Sequence, residues 1–517
     1  MQTQQIRNIV IVGGGSAGWL VANHLATKLP LSNSGINITL IESPDIPTIG
    51  VGEGTVPMMR QSLKHFGIAE AELIQRCDAT FKQGIKFVDW HTNPTPKESY
   101  YHHIFDYPNI NNIDLTPYWL SQSAPSRSSF VDSVSLQGKV CDANLAPKLI
   151  TTSEYQGVTE YAYHLDAGKF AQLLQENATQ KLDVQHVMAN VVSINSHSNG
   201  HIKSVTTDCC GEFNGDLFID CSGFKSLLLG DHLGVGFIDK KHQLFTDTAL
   251  AVQVPYANEH DEIPSYTKST ALQSGWIWDI GLQSRRGTGY VYSSAHTNDE
   301  QAEKDFRHYL GPETDHLAIR KIDMRIGYRE KFWDKNCVAI GLSQGFVEPL
   351  EATGLLMFDM AAKMLAEQFP TVQAEVPLIA AKFNKRMQIS WDSVIEFIKL
   401  HYCLSKRTDS DFWHDNRQAS SIPENLKQRL LGWQYQPPQS YDFESRYEIF
   451  NLENYLYVLY GMQFETHPDN FKHQLNKHNC ANKRFAEIKQ ITTVALDKLP
   501  AHRELINKIN KFGLSKV

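Results

Sequence analysis

Ile9-Val10-Ile11-Val12-Gly13-Gly14-Gly15-Ser16-Ala17-Gly18 is the stretch that decides the fold. Its four apolar residues read as a short buried strand, and Gly13, Gly15 and Gly18 follow in the spacing G-x-G-x-x-G. Trp19 to Leu29 reads as a helix, and a second apolar run, Ile36 to Ile41, ends at Glu42, 24 residues after Gly18. In a dinucleotide-binding turn each part has a physical task. Gly13 permits the tight turn, Gly15 lets the backbone approach a pyrophosphate, and Gly18 lets helix and strand pack closely. The helix start supplies N–H groups and positive dipole to the phosphates. The Glu42 carboxylate can accept hydrogen bonds from ribose hydroxyls. A strand before the glycines, a helix after them and an acid further on make the motif specific, where a lone G-x-G-x-x-G would be weak.

The rest of the chain bounds what such a turn can serve. At 517 residues it is long enough for two to four domains, or one large domain with insertions. Hydrophobic residues make up 42% and charged residues 21%, which excludes a disordered or fibrous chain. A net charge of −8 with a pI near 6.2 leaves no basic footprint for nucleic acid. No run approaches the ~18 apolar residues of a membrane span. The start, MQTQQIRNIVIVGGG, runs straight into the glycine loop and is not expected to act as a secretory leader. Eight cysteines without metal-ligand spacing point to a reducing cytoplasm, and no metal is expected. The other glycine-rich stretch, Gly50-Val51-Gly52-Glu53-Gly54, has the wrong spacing for a second nucleotide fold. Reducing equivalents are therefore expected to arrive from elsewhere.

Residues 57–76 read as helical and Gly84 to Trp90 as a strand. Residues 91–130, rich in Pro, Asn, Ser and Tyr, read as a long cover loop. Leu165 to Gln180 reads as a helix capped by Asp166. Strand-like runs fill 184–220 and 248–293, Val338 to Gly341 is a short strand, and Leu355 to Phe369 is helical. Helical patterns dominate from about Pro377, most clearly at 377–404, 423–433 and 484–511.

Several further segments resemble the flavin-dependent halogenases of the tryptophan halogenase family. Thr80-Phe81-Lys82 resembles the segment of the catalytic lysine, and Gly50 to Pro57 the flavin-contacting loop. Gly275-Trp276-Ile277-Trp278-Asp279-Ile280-Gly281 resembles the signature W-x-W-x-I-P, with Gly281 for proline. Phe346-Val347-Glu348-Pro349-Leu350-Glu351-Ala352-Thr353-Gly354 resembles the catalytic-glutamate and halide segment. The resemblance implies an α/β fold: an FAD-binding Rossmann-like domain of glutathione-reductase and flavin-monooxygenase type with mixed sheet, and a mostly helical C-terminal region. The expected domains are 1–370, an FAD-binding and halogenation core with a cover loop at about 91–130 and a sheet insertion at about 248–293, and 371–517, a helical substrate-side region.

The chemistry implied is oxidation of halide to hypohalous acid by reduced FAD and O2, and halogenation of an electron-rich aromatic, indole or tryptophan-like, at a second site. Lys82 would hold and activate the oxidant there, with Glu351 as the catalytic carboxylate and Glu348 as the competing acid. The flavin would lie on Gly13, Gly14, Gly15, Ser16, Ala17, Gly18, Glu42, Gly52, Leu342 and Leu355, and halide on the amides of Thr353 and Gly354. Trp276 and Trp278 would keep substrate from the flavin, with Gly281 loosening the end of that strand. His103 and Phe105 resemble the pair that sandwiches an indole. Tyr455, within Asn454 to Gly461, resembles part of the helix that holds the amino acid, but its partner glutamate is not placed; Glu465 is only nearby. The resemblance also implies a separate flavin reductase and is compatible with a homodimer. Chloride or bromide stays open. The competing readings are a flavin-dependent aromatic monooxygenase, which would not call for Lys82, and a non-catalytic flavin-binding protein.

Overall fold

The computed structural model describes residues 4–29, 31–46, 52–95, 99–108, 113–123, 127–443, 445 and 448–515. Gly50 and Val51, expected in the flavin loop, lie outside the described residues, as do parts of the 91–130 segment. The chain divides into two compact units that interleave in sequence. The first comprises Met1–Asp78, Leu165–Lys240 and Met324–Trp391, the second Ala79–His164, Lys241–Asp323 and Asp392–Val517.

In the first unit, six described strands form one sheet, in the order Trp333–Asp334, Cys337–Ala339, Leu217–Asp220, Asn8–Val12, Asn37–Glu42 and Gln185–Met188. All neighbours are parallel except the first pair. The central strand pairs Ile9 with Ile38 on one side and with Leu217 on the other. Its near-continuous apolar composition is that of a parallel strand covered on both faces. Val10, Val12, Ile41, Phe218 and Ala339 share one buried cluster. Helix Ser16–Lys28 packs against helices Ala167–Lys181 and Thr353–Glu367. Asp166 caps Ala167–Lys181, its carboxylate accepting from the Lys169 amide at 3.0 Å, as its position before the helix predicts.

In the second unit, seven described strands run Arg320–Asp323, Thr248–Pro255, Arg285–Tyr292, Gly275–Gly281, Thr267–Leu272, Gly84–Val88 and Tyr100–Ile104. Only Thr267–Leu272 and Gly84–Val88 are parallel neighbours. Leu250, Ile277, Tyr290 and Tyr292 pack under Ala302, Phe306 and Leu310 of helix Asp299–Leu310.

Three expectations change. Residues 91–130 are not a bare loop: they contain the edge strand Tyr100–Ile104, paired with Gly84–Val88, and the short helix Thr116–Leu120. The Tyr-Tyr-His-His-Ile strand is buried on successive residues, so it carries no alternation to betray it. Residues 57–76 form two helices, Met58–His65 and Glu70–Arg76, because Gly67 turns the chain at φ +74°. Residues 484–511 likewise divide into His478–Lys498 and His502–Phe512, interrupted at Pro500, which has no N–H to continue a helix.

Candidate active site

The first unit holds the nucleotide cradle. Gly13 adopts φ +117°, and a Cβ there would lie 2.1 Å from the Cys221 carbonyl oxygen. The turn thus forms against the neighbouring strand end, where Cys221 N–H donates to Val12 O at 2.8 Å. A Cβ on Gly18 would lie 2.0 Å from Gly13 O, which is the close helix–strand packing the motif requires. A Cβ on Gly14 would strike the Glu42 side chain at 2.2 Å, so Glu42 lies across the loop, fixed by His186 Nε2 at 2.9 Å. Gly15 differs: a Cβ there meets nothing within 4 Å. The space opens at the start of a helix whose first turn carries no acid. A pyrophosphate fits this donor set, and the cradle fits a dinucleotide such as FAD. Ser16 and Ala17 begin the helix. Gly341 crosses it, a Cβ there lying 2.7 Å from Ala17 Cβ, so the half-buried Leu342 follows directly on that crossing. Gly52 adopts φ +152°, and burial pushes the adjacent Glu53 up to about 7.

The acidic loop ends at Ala352, which holds a left-handed φ of +55° and caps helix Thr353–Glu367. A non-glycine residue there costs roughly 1–2 kcal/mol. Strain of this kind persists where surrounding contacts over-determine it. It aims the chain so that Thr353 and Gly354 open the helix, whose first amides have no partner within the helix. No acid stands in that first turn, and a Cβ on Gly354 would meet nothing within 4 Å. Those amides and that space suit a halide. Glu348, Glu351, Thr353 and Leu355 are all buried. Sequence reasoning missed what holds this helix. Asp359 accepts from Ser62 Oγ at 2.7 Å and pairs with His24 Nε2 at 2.7 Å, tying it to Met58–His65 and to Ser16–Lys28.

The second unit holds Lys82, fully buried on strand Thr80–Lys82, which pairs antiparallel with Ala162–Leu165. Its Nζ lies 5.4 Å from the Phe105 ring centre. Each neighbour of Lys82 is pinned. Phe81 N–H donates to His502 Nε2 at 2.9 Å, and Thr80 Oγ1 donates to Gly281 O at 2.6 Å. Gln83 Nε2 donates to Leu145 O at 2.8 Å. Burial, then the charge of Lys82, drives His164 well below the ordinary imidazole range, so this neighbour stays neutral. Gln137 Oε1 accepts from the amides of Phe105 and Asp106, at 3.0 and 2.7 Å, and thereby sets the Phe105 loop.

His103 Nε2 is 3.0 Å from Asn454 Nδ2, and Tyr457 OH donates to Asp106 O at 2.7 Å. Helix Leu452–Gly461 therefore reaches this loop through Asn454 and Tyr457. Tyr455 is turned elsewhere: its ring packs on Phe397, Trp433 and Phe443, and its hydroxyl is 3.4 Å from the Arg429 guanidinium. The structure thus brings Lys82 and Phe105 together but directs Tyr455 to an ionic cluster of Arg429, Glu396 and Glu448. Trp276 and Trp278, two apart on one strand, share a face with ring centres 6.4 Å apart. Trp278 lies over Gly289, where a Cβ would come within 2.1 Å of the indole. Gly281 does not loosen this strand. It is buried, pairs with Arg286, and its carbonyl is the acceptor for Thr80. A Cβ there would meet Ile263 Cγ2 at 2.8 Å, so glycine answers a packing demand. Among the described residues, His502, Gln137 and Asp359 were signalled by no motif, and Asn454 lay within the Asn454 to Gly461 segment without being singled out.

A dinucleotide cradle on a parallel sheet, a strained acidic loop opening a helix, and a buried lysine beside an aromatic ring are the parts expected of a flavin-dependent oxidoreductase acting on aromatics. The chain belongs to the tryptophan halogenase family, whose model matches residues 8–477. It is 34% identical to tryptophan 6-halogenase SttH of Streptomyces toxytricini over 98% of each chain, and the SttH crystal structure superposes with a TM-score of 0.90. A tryptophan halogenase structure from Shewanella frigidimarina NCIMB 400 is 43% identical, covers 99% of each chain and gives a TM-score of 0.95. BrvH, a flavin-dependent halogenase from Brevundimonas sp. BAL3, is 32% identical over 97% of this chain and 99% of its own, with a TM-score of 0.86. The protein is a flavin-dependent halogenase, and the monooxygenase reading is not favoured. No described helix is long and apolar enough to cross a membrane.

Proposed function

We propose that this chain uses FADH2, O2 and halide to make hypohalous acid and halogenates an electron-rich aromatic, indole or tryptophan-like, through Lys82 and Glu351. The observation that carries the reading is a fully buried ammonium on a pinned strand, 5.4 Å from the Phe105 ring. When bound, reduced FAD with O2 supplies the two-electron oxidation that turns halide into hypohalous acid.

The chain's own residues do the rest. Gly15 and the start of helix Ser16–Lys28 would hold the pyrophosphate, and Glu42 the ribose. Thr353 and Gly354 amides would hold halide beside Leu355. A buried ammonium donates strongly to an oxidant's oxygen and makes its halogen electrophilic, which is the part assigned to Lys82. Glu351 would accept the proton that leaves the ring. Phe105 and His103 would bracket a flat substrate, with His103 oriented by Asn454. Trp276 and Trp278 would keep substrate from the flavin. The region 371–517 would serve the substrate side, Tyr455 anchoring helix Leu452–Gly461 while Asn454 and Tyr457 contact the loop. A separate reductase would deliver FADH2, in the cytoplasm, to an enzyme that is a monomer or homodimer.

The test supplies protein with FAD, an unrelated flavin reductase, NADH, O2 and bromide, and offers indole, tryptophan and phenols. Mass spectrometry should find a bromine isotope doublet on one regioisomer, lost in Lys82→Ala while flavin reoxidation continues. A hydroxylated product that needs no bromide would overturn the reading.

A further inference from the structure

The hairpin turn between strands Ile202–Thr207 and Gly211–Asn214, in the first unit, carries two adjacent cysteines. Cys209 and Cys210 are both exposed, and their sulfurs are 3.0 Å apart. Of the other cysteines, Cys77, Cys141 and Cys337 are buried, Cys221 and Cys403 are half-buried, and Cys480 is exposed without a neighbouring thiol in its own segment. The turn holds the pair in place: Cys210 N–H donates to Thr207 Oγ1 at 3.1 Å, and Thr207 pairs with Gly211 across the hairpin.

This turn is bonded to the ribose end of the cradle. Cys209 Sγ donates to Met188 O at 3.7 Å, and Met188 is the strand partner of Glu42. Beside it, the Asp208 carboxylate accepts from the Asn190 backbone amide at 3.1 Å and from its side chain at 3.0 Å. That side chain also donates to Asp45 at 2.8 Å and accepts from Ser43 Oγ at 2.6 Å. Ser43 and Asp45 lie one and three residues after Glu42 in the chain.

We propose that Cys209 and Cys210 form a redox-active dithiol that closes to a disulfide under two-electron oxidants made at the enzyme's own flavin, and that closure is felt at the Glu42 end of the cradle. The oxidant rests on the halogenase reading; the dithiol does not. The thiol of one cysteine attacks the halogen of hypohalous acid, so that an S–X bond forms, the O–X bond breaks, and the departing hydroxide takes the thiol proton to become water. The second sulfur then attacks the first: S–S forms, S–X breaks, halide leaves and the second thiol proton is released. Two thiols are oxidised and one hypohalous acid is reduced to halide and water. Hydrogen peroxide, formed when reduced flavin meets O2 without halide, gives the same disulfide through a sulfenic acid.

The geometry favours a switch over a staple. Adjacent Cα atoms are about 3.8 Å apart across a trans peptide, closer than the roughly 4.4–6.8 Å of ordinary disulfides. A bond made there is strained and readily reduced. Either sulfur can make the first attack, because both are exposed and each has the other 3.0 Å away to complete the bond. Closure also removes the Cys209 S–H that now donates to Met188 O.

The test treats the FAD-loaded enzyme with hypobromous acid in one arm. In the other it turns over with reductase, NADH, O2 and bromide but no aromatic. Peptide mass spectrometry should show loss of two hydrogens on the peptide holding Cys209 and Cys210, reversed by dithiothreitol and absent in Cys209→Ser, while Cys480 gains only oxygen. FAD affinity should fall severalfold on oxidation of the parent and stay unchanged in Cys209→Ser treated alike. Oxygen adducts on the pair in place of a disulfide, in the added-reagent arm, would overturn the dithiol. A disulfide that leaves FAD affinity unchanged would overturn the coupling. A disulfide with added reagent but none in turnover would overturn the enzyme as oxidant source, and bromination of an aromatic in a parallel assay separates that result from failure of the halogenase reading.

Discussion

Gly15 and Gly13 stand two residues apart in one motif, yet alanine should do opposite things at each. Gly15 has φ −75° and ψ −177°, which alanine adopts without strain, and its Cβ would enter open space. Gly15→Ala should therefore leave the apoprotein folded with its stability within about 1 kcal/mol of the parent, the reduced freedom of the unfolded chain being offset by alanine's poorer service at the N-cap position that Gly15 holds. If the open space is the pyrophosphate site, the same methyl holds the phosphates off the helix start. Loss of one charge-assisted N–H···O bond costs about 1.5–3 kcal/mol, or roughly 10- to 150-fold in affinity. Titrating apoprotein with FAD and following the quench of flavin fluorescence measures that loss, and thermal unfolding of the same apoprotein measures the stability. A folded Gly15→Ala protein that binds FAD within about threefold of the parent would refute the placement of the pyrophosphate. Gly13→Ala, with φ +117° and a carbonyl oxygen 2.1 Å from the new Cβ, should instead fail to fold stably, cofactor or none.

Glu351→Gln should cut halogenated product by about 100-fold or more while flavin reoxidation continues; a comparable loss in Glu348→Gln, with Glu351→Gln active, would move the catalytic role three residues upstream. Gly289→Ala should displace the Trp278 ring at a cost of about 1–3 kcal/mol, read as lower thermal stability and an altered product ratio; unchanged values of both would mean the indole does not depend on that glycine. Burial lowers His502 from 6.5 to about 4, so its neutral form is the folded one. Stability from this group is fully present above pH 6.5 and lost as pH falls towards 4, with a span of about 3 kcal/mol. His502→Gln should flatten that slope in denaturant titrations across the same range, and an undiminished slope would place the proton uptake elsewhere.

The nucleotide half of the site was legible because its demands are local. A tight turn, a close crossing and an approach to phosphate each require glycine within ten residues, and the strand and helix around them announce themselves by apolar runs. The Lys82 half was legible only through resemblance. What makes Lys82 usable is a set of tethers from distant segments: Gly281 to Thr80, Leu145 to Gln83, Gln137 to Phe105. None has a periodicity or a spacing. The strand Tyr100–Ile104 escaped for a related reason, since an edge strand buried on consecutive residues looks like neither a helix nor an alternating strand. Tyr455 was singled out as an aromatic on the right helix, but helical geometry turns neighbours apart by about 100°, and it is Asn454 and Tyr457 that reach the loop.

The bond from Phe81 N–H to His502 Nε2 spans 421 residues. Lys82 is among the first parts of the second unit to leave the ribosome, and its strand is fastened by helix His502–Phe512, made more than 400 residues later. At ~5–20 residues per second, synthesis leaves that strand without its acceptor for tens of seconds. Its hydrogen bond can close only after His502 has emerged, so a buried ammonium must wait in an unfinished setting. Substitutions that disturb Pro500 to Phe512 therefore act on the lysine strand from a segment made 421 residues after Phe81, and the strand reaches its final setting only once that segment is in place.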